Sequence, residues 1–322
     1  MHLNDASERA EPLVSVLMPV YNSPDIFASV ASALMQKGVP YELIVADDAS
    51  AEFPEEALRR FVEENRRAEL QSFVLLRNRE NLGTVRTLNR ALSASRGTFV
   101  VGLAGDDVFY DDSVLASWVR AFTETKANIV TGRRQNYDAG MKLLLGASPS
   151  PRIEEMLKTL QPEDLFEAFS LECLISGACT AWRRSALEQY GAFDTHCRLI
   201  EDYPLYLRAL RAGEAIGFLD RFVIKYRGGG VSDETGALPE AFEKDREWIY
   251  DHEILPYTRH PAQVKRWRRR WRNDLRFDRR YAALRSRFQA RPLIKAGLFL
   301  VYSVYHPTRT LRKLRRNLKK GG

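Results

Sequence analysis

Cysteine is scarce in this chain: Cys173, Cys179 and Cys197 are the three thiols among 322 residues. Three thiols cannot form a disulfide scaffold, and because no Cys-x-x-Cys pair occurs, we do not expect a structural zinc site. The pattern predicts reduced thiols in a cytoplasmic protein. The first residues, MHLNDASERAEP, are polar and include no apolar segment, so a signal peptide is not expected.

Long apolar runs and phosphate-binding glycine motifs are also missing. The longest apolar stretch, AGLFLVYSVY at 296–305, has ten residues, whereas a membrane-spanning helix needs about 20. Neither GxxxxGK(S/T) nor GxGxxG occurs, which excludes a P-loop enzyme and an ordinary dinucleotide-binding domain. With 45% hydrophobic and 28% charged residues, the composition is that of a globular protein and excludes a disordered or collagen-like chain.

Charge is divided unevenly along the chain, whose net charge is +7. Residues 261–322 contain 20 Lys and Arg against 2 Asp and Glu, whereas the first 260 residues contain 29 basic and 40 acidic residues. An acidic body therefore carries a strongly basic tail. This asymmetry predicts that the partner of the tail is a polyanion or an anionic membrane.

Three interpretations of the basic tail remain open: a solvated helix that packs on the body, a nucleic-acid-binding segment, or a membrane-surface anchor. Trp267 and Trp271 alternate with arginines in RWRRRWR at 266–272, which is typical of nucleic-acid binding. No recognised nucleic-acid module accompanies the charge, however. From 291 to 320, basic residues flank an apolar and aromatic run, which favours an interfacial membrane anchor.

The first 130 residues alternate β-rich runs with amphipathic helical segments. This alternation predicts βαβ units and an α/β fold, with a mainly parallel sheet and helices on both faces. The predicted strands are 14–18, 41–46, 72–76, 98–103 and 128–131, and the predicted helices are 25–36, 54–67, 84–95 and 112–125.

The second half of the chain is less regular. Prolines within 138–162 predict a loop followed by a helix. A helix is predicted at 199–212, a pair of strands at 215–226 and a flexible glycine loop at 228–230. The basic residues beyond 246 predict a helical C-terminal extension.

Paired polar residues follow three of the predicted strands. Tyr21-Asn22 follows the first strand, Asp47-Asp48 the second and Asp106-Asp107 the fourth. Ligands bind at the carboxyl ends of parallel strands, so the three pairs should converge on one edge of the sheet. A single Asp-Asp pair is more often a turn or a helix cap, but two on one edge suit a Mg²⁺ or Mn²⁺ ion shared with substrate phosphates.

Five segments resemble successive blocks of family-two glycosyltransferases, which have the Rossmann-like GT-A fold. The segment nearest the C-terminus resembles the acceptor side of that family, and the bacterial surface-polysaccharide enzymes are the type indicated. The resemblance covers about residues 13–230. The segments are VSVLMPVYN at 14–22, ELIVADDAS at 42–50, ENLGTVRTLN at 80–89, GTFVVGLAGDD at 97–107 and GAFDTHCRLIEDYPLYLR at 191–208.

The resemblance implies a donor site at the edge where the pairs converge. It places Tyr21 beside the nucleotide base, gives Asp48 a hydrogen bond to the base and makes Asp47 a support for that loop. It gives Asp106 a contact with the ribose or the diphosphate. The remaining residues implied to line the donor site are Pro19, Asn22, Asn81, Gly83 and Asn89.

The resemblance also implies a metal site and a general base. Asp107, together with Asp106, would ligate Mg²⁺ or Mn²⁺, and Asp202 would be the base, with Glu201 as the alternative. An inverting transfer needs one base for the acceptor hydroxyl and a cation for the departing diphosphate, so the chemistry agrees. Taken alone, the Glu201-Asp202 pair also fits a different role, namely negative charge at the N-terminus of a helix that complements the helix dipole.

The sequence departs from the family pattern at two places. Many relatives have Asp-x-Asp-Asp at the metal site, but Ala104 occupies the first position here, so weaker metal binding is expected. Many relatives also carry a histidine after Tyr-Arg, whereas Tyr226-Arg227 is followed by three glycines. Arg227 is therefore predicted to contact the diphosphate instead.

The predicted function is an inverting, metal-dependent glycosyltransferase. It would move a sugar from a nucleotide-diphosphate sugar, with a UDP-sugar favoured, to a growing lipid-linked bacterial glycan, in the cytoplasm on the inner face of the cell membrane. A non-catalytic membrane or nucleic-acid adaptor of the same fold is the alternative, and Ala104 is its support. The predicted regions are a polar tail at 1–12, a nucleotide-sugar-binding half at 13–135, an acceptor-binding half at 136–245 and a basic helical region at 246–322.

Overall fold

A computed structural model describes residues 13–229, 239–287 and 302–303. The described chain divides into two compact units, with residues 240–259 joined to the N-terminal unit and residues from 260 onward in the second. Three predictions lie outside the described residues, namely the polar tail at 1–12, the last glycine of the 228–230 loop, and all but two residues of the 291–320 segment.

The first half of the chain alternates strands and helices, as its sequence predicts. All five predicted strands and all four predicted helices are confirmed, and only a two-residue strand was missed. The elements are β1 (Val14–Val20), α1 (Ile26–Leu34), β2 (Tyr41–Asp47), α2 (Glu55–Asn65), β3 (Leu70–Arg77), α3 (Thr84–Ser93), β4 (Phe99–Gly102), β5 (Val108–Phe109) and α4 (Val114–Thr125).

The second half combines short helices with strands of mixed direction. Its elements are β6 (Ile129–Tyr137), β7 (Leu144–Ser148), α5 (Pro151–Thr159), α6 (Pro162–Phe169), a 3₁₀ turn (Gly177–Cys179), β8 (Thr180–Arg183), α7 (Arg184–Gln189), α8 (Tyr203–Arg211) and β9 (Ile216–Arg227). Beyond β9 come α9 (Glu240–Ile249), a π-helical turn (Tyr250–Ile254) and α10 (Pro261–Arg287).

Two predictions for the second half were wrong in their elements. The stretch 138–162 contains β7, all of α5 and the first residue of α6. The two helices begin at Pro151 and Pro162, because the missing N–H of proline is harmless in the first helical turn. The predicted pair of strands at 215–226 is one strand, β9. The helix predicted at 199–212 begins only at Tyr203, so Glu201 and Asp202 precede its first turn.

The strands form one sheet in the order β3-β2-β1-β4-β8-β6-β9-β5, with β7 paired to β6. The first four strands in this order are parallel, as predicted. In the other half, β8 runs antiparallel to β4 and β6, while β6 and β9 are parallel. The α/β fold is therefore confirmed, and its sheet is parallel across β3, β2, β1 and β4 and mixed in the other strands.

The hydrophobic core lies between this sheet and its helices. Every residue of β2 is buried, and only one residue of β1 is not, because helices cover both faces of the sheet. Trp118 and Phe122 of α4 are also buried, and the Phe122 ring stacks on Phe99 of β4 at 4.5 Å. This core holds the strand ends in fixed positions.

Helix α10 is long but strongly basic. Its 27 residues include 11 Lys and Arg against 2 Asp. Within the part of the chain that the structure describes, no helix is both long and apolar enough to cross a membrane.

Candidate active site

The carboxyl ends of β1, β2 and β4 meet at one edge of the sheet. The Asp48 amide donates to the Val20 carbonyl at 2.8 Å, and the Gly105 amide donates to the Pro19 carbonyl at 3.0 Å. The backbone carbonyl of Pro19 in β1 thus holds the turn that follows β4. The predicted convergence of the three polar pairs is confirmed.

Asp48 is buried and its carboxylate organises the loop after β3. Oδ1 accepts hydrogen bonds from Asn78 Nδ2 and from the Leu82 amide, both at 2.7 Å. Oδ2 accepts from the Gly83 amide at 2.8 Å. Since a carboxylate offers about four acceptor positions, Oδ2 keeps one position for the predicted base contact. Asn78 was missed by the sequence analysis because a single asparagine after a strand also fits an ordinary turn.

Asp47 supports the turn after β2, and the role in the donor site that the resemblance implies for it stays a prediction. Its buried carboxylate accepts from the Ser50 amide at 3.2 Å and from Arg77 Nε at 3.2 Å. Asn22 also contacts this turn, because its amide donates to Ser50 Oγ at 2.7 Å. The Tyr21 side chain is 54% exposed at the edge, so the face of its ring is open to a ligand.

Gly83 and Asn81 form a wall together with Arg198, which lies in the segment before α8. Arg198 Nη2 donates to the Asn81 carbonyl at 2.8 Å and also contacts its side-chain oxygen. Gly83 has φ +86°, and a Cβ there would lie 2.6 Å from the Arg198 carbonyl oxygen. Only glycine fits this close approach. We call the loop of Asn81 and Gly83 the donor wall, after its predicted role. It is therefore in direct contact with the segment that leads from Arg198 to the acids Glu201 and Asp202.

Both polar atoms of the Asn89 side chain are hydrogen-bonded to the backbone of Phe193. Its Nδ2 donates to the Phe193 carbonyl at 2.6 Å, and its Oδ1 accepts from the Phe193 amide at 3.2 Å. The side chain thus clamps α3 to the segment after α7. Its predicted role in the donor wall can be exerted through this clamp.

Asp106 and Asp107 lie in the turn between β4 and β5. The Arg227 amide donates to Asp107 Oδ1 at 2.8 Å, and Arg227 Nε donates to the Asp106 carbonyl at 2.9 Å. The other guanidinium nitrogens contact the Ala139 carbonyl and Asp25. Arg227 therefore braces the acid turn, and its predicted contact with a diphosphate stays a prediction.

These two acids are poorly neutralised by the protein. Burial and the neighbouring Asp106 raise the pKa of Asp107 to about 8. Burial also raises the pKa of Asp106. A divalent cation stabilises the ionised form of two carboxyl groups that lie close together and otherwise resist ionisation. Asp106 and Asp107 therefore fit the implied metal. No cluster of three His, Cys, Asp or Glu suited to a metal occurs among the described residues, so Asp106 and Asp107 would hold the ion with phosphate oxygens and water.

Glu201 and Asp202 form the second under-neutralised acid pair. Asp202 Oδ2 accepts from the Gly177 amide at 2.6 Å. Burial and the charge of Asp202 raise the pKa of Glu201 to about 8, and burial raises the pKa of Asp202. A carboxylate with a raised pKa is suited to general-base chemistry near neutral pH.

Gly177 was missed by the sequence analysis, although it lies directly under this pair. A Cβ at Gly177 would lie 2.7 Å from Glu201 Oε1 and 3.2 Å from Asp202 Oδ2. Any side chain here would displace the acids. The signal in the sequence is faint, because SGACTA at 176–181 reads only as a small apolar segment.

Arg134 of β6 is a second residue that sequence reasoning missed. Its positive charge lowers the pKa of both Asp107 and Asp202, so both acid pairs face one cation. The guanidinium lies 4.0 Å from the centre of the Tyr226 ring, and Nη1 donates to Ser176 Oγ at 3.0 Å. Its Nε is buried without a hydrogen-bond partner. Arg134 lies beyond the strand predicted at 128–131, so no local pattern in the sequence marked it.

Known proteins share this architecture. The model of the family described as "Glycosyl transferase family 2" matches residues 15–191, more than half of the chain. An uncharacterized protein of Mycobacterium tuberculosis is 25% identical over 81% of this chain and 83% of its own length. A poly(ribitol-phosphate) beta-glucosyltransferase of Bacillus spizizenii is 22% identical over 68% of this chain, which spans 33% of that enzyme.

A solved structure also shares this fold. A crystal structure of S. aureus TarS 1-349 in complex with UDP-GlcNAc superposes with a TM-score of 0.57 at 18% identity, covering 96% of this chain and 92% of that one. At that identity the likeness concerns the fold alone. Together with the family match, it supports the GT-A architecture that the sequence predicted: the chain belongs to glycosyl transferase family 2.

Proposed function

We propose that this protein transfers a sugar from a nucleotide-diphosphate sugar to an acceptor hydroxyl with inversion at the anomeric carbon. The observation that carries the proposal is the pair of acid clusters at one edge of the sheet, both with raised pKa values and both facing Arg134. One cluster suits the departing diphosphate, and the other suits the attacking hydroxyl. A UDP-sugar is the favoured donor, because TarS is bound to UDP-GlcNAc in the structure that shares this fold.

Asp202 is the proposed general base. In a single in-line displacement, its carboxylate takes the proton of the acceptor hydroxyl as the oxygen bonds to the anomeric carbon and the bond to the diphosphate breaks. The Gly177 amide fixes Oδ2 at 2.6 Å. Burial disfavours the charged form of this carboxyl group and raises its pKa, so Asp202 gains a proton more readily than an isolated aspartate.

Asp106 and Asp107 are the proposed holders of Mg²⁺ or Mn²⁺. When bound, such an ion neutralises the charge that builds on the departing diphosphate. Arg134 lies between the acid pairs with an unpartnered Nε, so its charge is directed at the same region. Arg227 keeps the turn of Asp106 and Asp107 closed through its backbone amide. Tyr21 and Asp48 would hold the base at the exposed edge.

Calorimetry with UDP, GDP, dTDP and CDP, with and without Mn²⁺, tests the donor site. We expect one nucleotide to bind tightly in the presence of Mn²⁺ and much more weakly in its absence. Asp107→Ala should abolish the benefit of the ion. If no nucleotide binds while the wild-type protein is folded, the enzyme is excluded and the adaptor alternative, supported by Ala104, is favoured.

The proposed acceptor is a lipid-linked bacterial glycan, reached from the cytoplasmic face of the membrane. The basic helix α10 supports this, since each Lys or Arg near an anionic leaflet contributes on the order of 1 kcal/mol. A putative teichuronic acid biosynthesis glycosyltransferase of Bacillus subtilis, 30% identical over 32% of this chain, supports a glycan acceptor.

Vesicle cosedimentation tests the membrane part of the proposal. The full chain should sediment with phosphatidylglycerol vesicles and remain in solution with phosphatidylcholine vesicles. The double variant Arg269→Glu, Arg270→Glu should bind the anionic vesicles at least tenfold more weakly. Binding to a duplex oligonucleotide that exceeds binding to anionic vesicles at the same salt would favour the nucleic-acid interpretation instead.

A further inference from the structure

Asp245 of α9 binds the backbone of the segment that precedes the acid pair. Its side chain is 3% exposed. Oδ1 accepts from the Arg198 amide at 2.9 Å, and Oδ2 accepts from the Leu199 amide at 2.6 Å and from the Ile200 amide at 3.0 Å. Three consecutive amides thus converge on one buried carboxylate, and the next residue along the chain is Glu201.

The same segment is attached to the donor wall on its other side. The Arg198 carbonyl accepts from the Val85 amide at 3.1 Å, and Arg198 Nη2 donates to the Asn81 carbonyl at 2.8 Å. Residues 198–200 therefore bridge the donor wall and the acid pair. Their own chain supplies no helix or strand ladder there, because α8 begins only at Tyr203. The position of the bridge depends on an acceptor from outside it.

From this geometry we infer that Asp245 is a positioning residue for the reaction: it holds the 198–200 bridge so that Asp202 and the donor wall keep a fixed separation. The inference rests on the proposed role of Asp202 as the base. Asp245 lies beyond the 15–191 range that the family model matches. A misplacement of about 1 Å at a reacting group costs on the order of 100-fold in rate, so a residue that fixes this segment affects turnover without touching substrate.

Asp245 also acts on the acid pair through its charge. It raises the pKa of Glu201, after burial and Asp202. The positive charge of Arg134 in β6 acts in the opposite direction on the other acid of the pair, because it lowers the pKa of Asp202 against the effect of burial. The other titratable groups that interact with the pair are Cys173, Cys179 and Tyr206.

The test compares Asp245→Asn with Glu42→Gln. Glu42 is a matched control, because its buried carboxylate at the start of β2 also accepts two backbone amides, from Arg96 at 2.6 Å and Gly97 at 3.0 Å. It lies at the opposite end of that strand from Asp47. Both variants remove one buried charge and weaken backbone hydrogen bonds, so both should lower the melting temperature.

Only Asp245→Asn should change the reaction. With UDP-glucose and UDP-GlcNAc as probes, we expect UDP release with kcat lowered about 10–100-fold and the donor KM within about twofold. The acid limb of the kcat profile should move to lower pH, because the negative charge that is removed raises the pKa of Glu201 beside the proposed base. Unchanged kcat and an unchanged acid limb in folded Asp245→Asn would overturn the inference.

A second variant and a second measurement cover the remaining outcomes. If Asp245→Asn does not fold, Asp245→Glu keeps the charge and displaces the carboxylate; it should keep the acid limb and lose at least tenfold in kcat, and wild-type kcat would overturn the inference. If the wild type releases no UDP from these two probes, the UDP-sugar part of the proposed function fails by itself. Carboxyl ¹³C titration of Glu201 and Asp202 then decides: lower pKa values in Asp245→Asn, but not in Glu42→Gln, support the inference, and unchanged values overturn it.

Discussion

Asp48 and Asp107 are both buried aspartates at the same edge of the sheet, yet their surroundings differ. Asp48 accepts three hydrogen bonds from the protein, two of them from backbone amides of the following loop. Asp107 accepts one from the Arg227 amide, and burial together with Asp106 raises its pKa to about 8. The fold uses most of the hydrogen-bonding capacity of the Asp48 carboxylate, whereas the Asp107 carboxylate keeps more of its own for the proposed ion.

The same contrast separates the two halves of the site. Asp47 and Asp48 are used to hold loops, and their loss should cost mainly stability and donor binding. Asp106-Asp107 and Glu201-Asp202 are held in place but poorly neutralised, so their loss should cost mainly metal binding or chemistry. Acidic pairs that look alike in the sequence therefore differ in the structure. We expect the pair that holds loops to support the site and the two poorly neutralised pairs to take part in metal binding or chemistry.

The largest expected effect belongs to Asp202→Asn. We expect kcat to fall by about 10³-fold or more, because the amide cannot accept the hydroxyl proton. The affinity for UDP should stay within a few-fold, and the protein should remain folded. UDP release from a donor sugar measures the first quantity and calorimetry the second. A larger loss in Glu201→Gln than in Asp202→Asn would transfer the base role to Glu201.

Asp107→Asn should lower the affinity for UDP in Mn²⁺ by roughly 10–100-fold, because outer or missing ligands weaken metal sites by that factor. The affinity without metal should hardly change. Asp48→Asn is the comparison: it should weaken UDP binding with and without Mn²⁺ alike and destabilise the fold by about 1–3 kcal/mol, since backbone amides lose their acceptor. Calorimetry and urea unfolding separate the two patterns. Equal metal dependence in both variants would break the contrast.

Gly177→Ala should reduce kcat by about tenfold, because the new methyl group displaces Glu201 Oε1, which would lie 2.7 Å away. Gly102→Ala is the matched control, because a Cβ at Gly102 meets nothing within 4 Å. UDP binding should be unaffected in both variants. Wild-type kcat in a folded Gly177→Ala protein would show that the acid pair tolerates displacement.

The smallest expected effect concerns stability and pH. The folded protein raises the pKa of Glu201 from its ordinary value of 4.5 to about 8, so it binds that proton more tightly than the unfolded chain does. The contribution is fully stabilising below the ordinary value and is lost as pH rises through about 8. Between pH 5 and 8, the melting temperature of Glu201→Gln should therefore rise relative to that of the wild type. A constant difference measured by calorimetry would contradict the raised pKa.

Most of the donor half could be predicted from the sequence. Apolar runs ending in Asp47-Asp48 and near Asp106-Asp107 indicated parallel strands with acids at one edge, and both the strands and the convergence are confirmed. The second half was harder because β8 is short and because α5 and α6 begin at prolines that also fit loops. Periodicity carries little information in elements of two to four residues.

The missed site residues share a cause. Arg134, Gly177 and Asp245 lie between 43 and 111 positions from each other along the chain, and each acts on the acid pair through space. Asn78 and Arg198 likewise bridge loops that are distant in sequence. No local pattern marks such contacts, since an arginine in a strand or an aspartate in a helix is usually a solvated surface residue.

The sequence by itself determined the family, the alternation of strands and helices, and the acids that follow the strands, because these depend on local order and on the period of apolar residues. The tertiary structure decided which acids are neutralised and which are available. Burial and hydrogen bonding set the pKa of a carboxyl group, and both depend on what the rest of the chain brings against it. Asp48 has three donors around it, whereas Asp107 and Asp202 share the charge of Arg134.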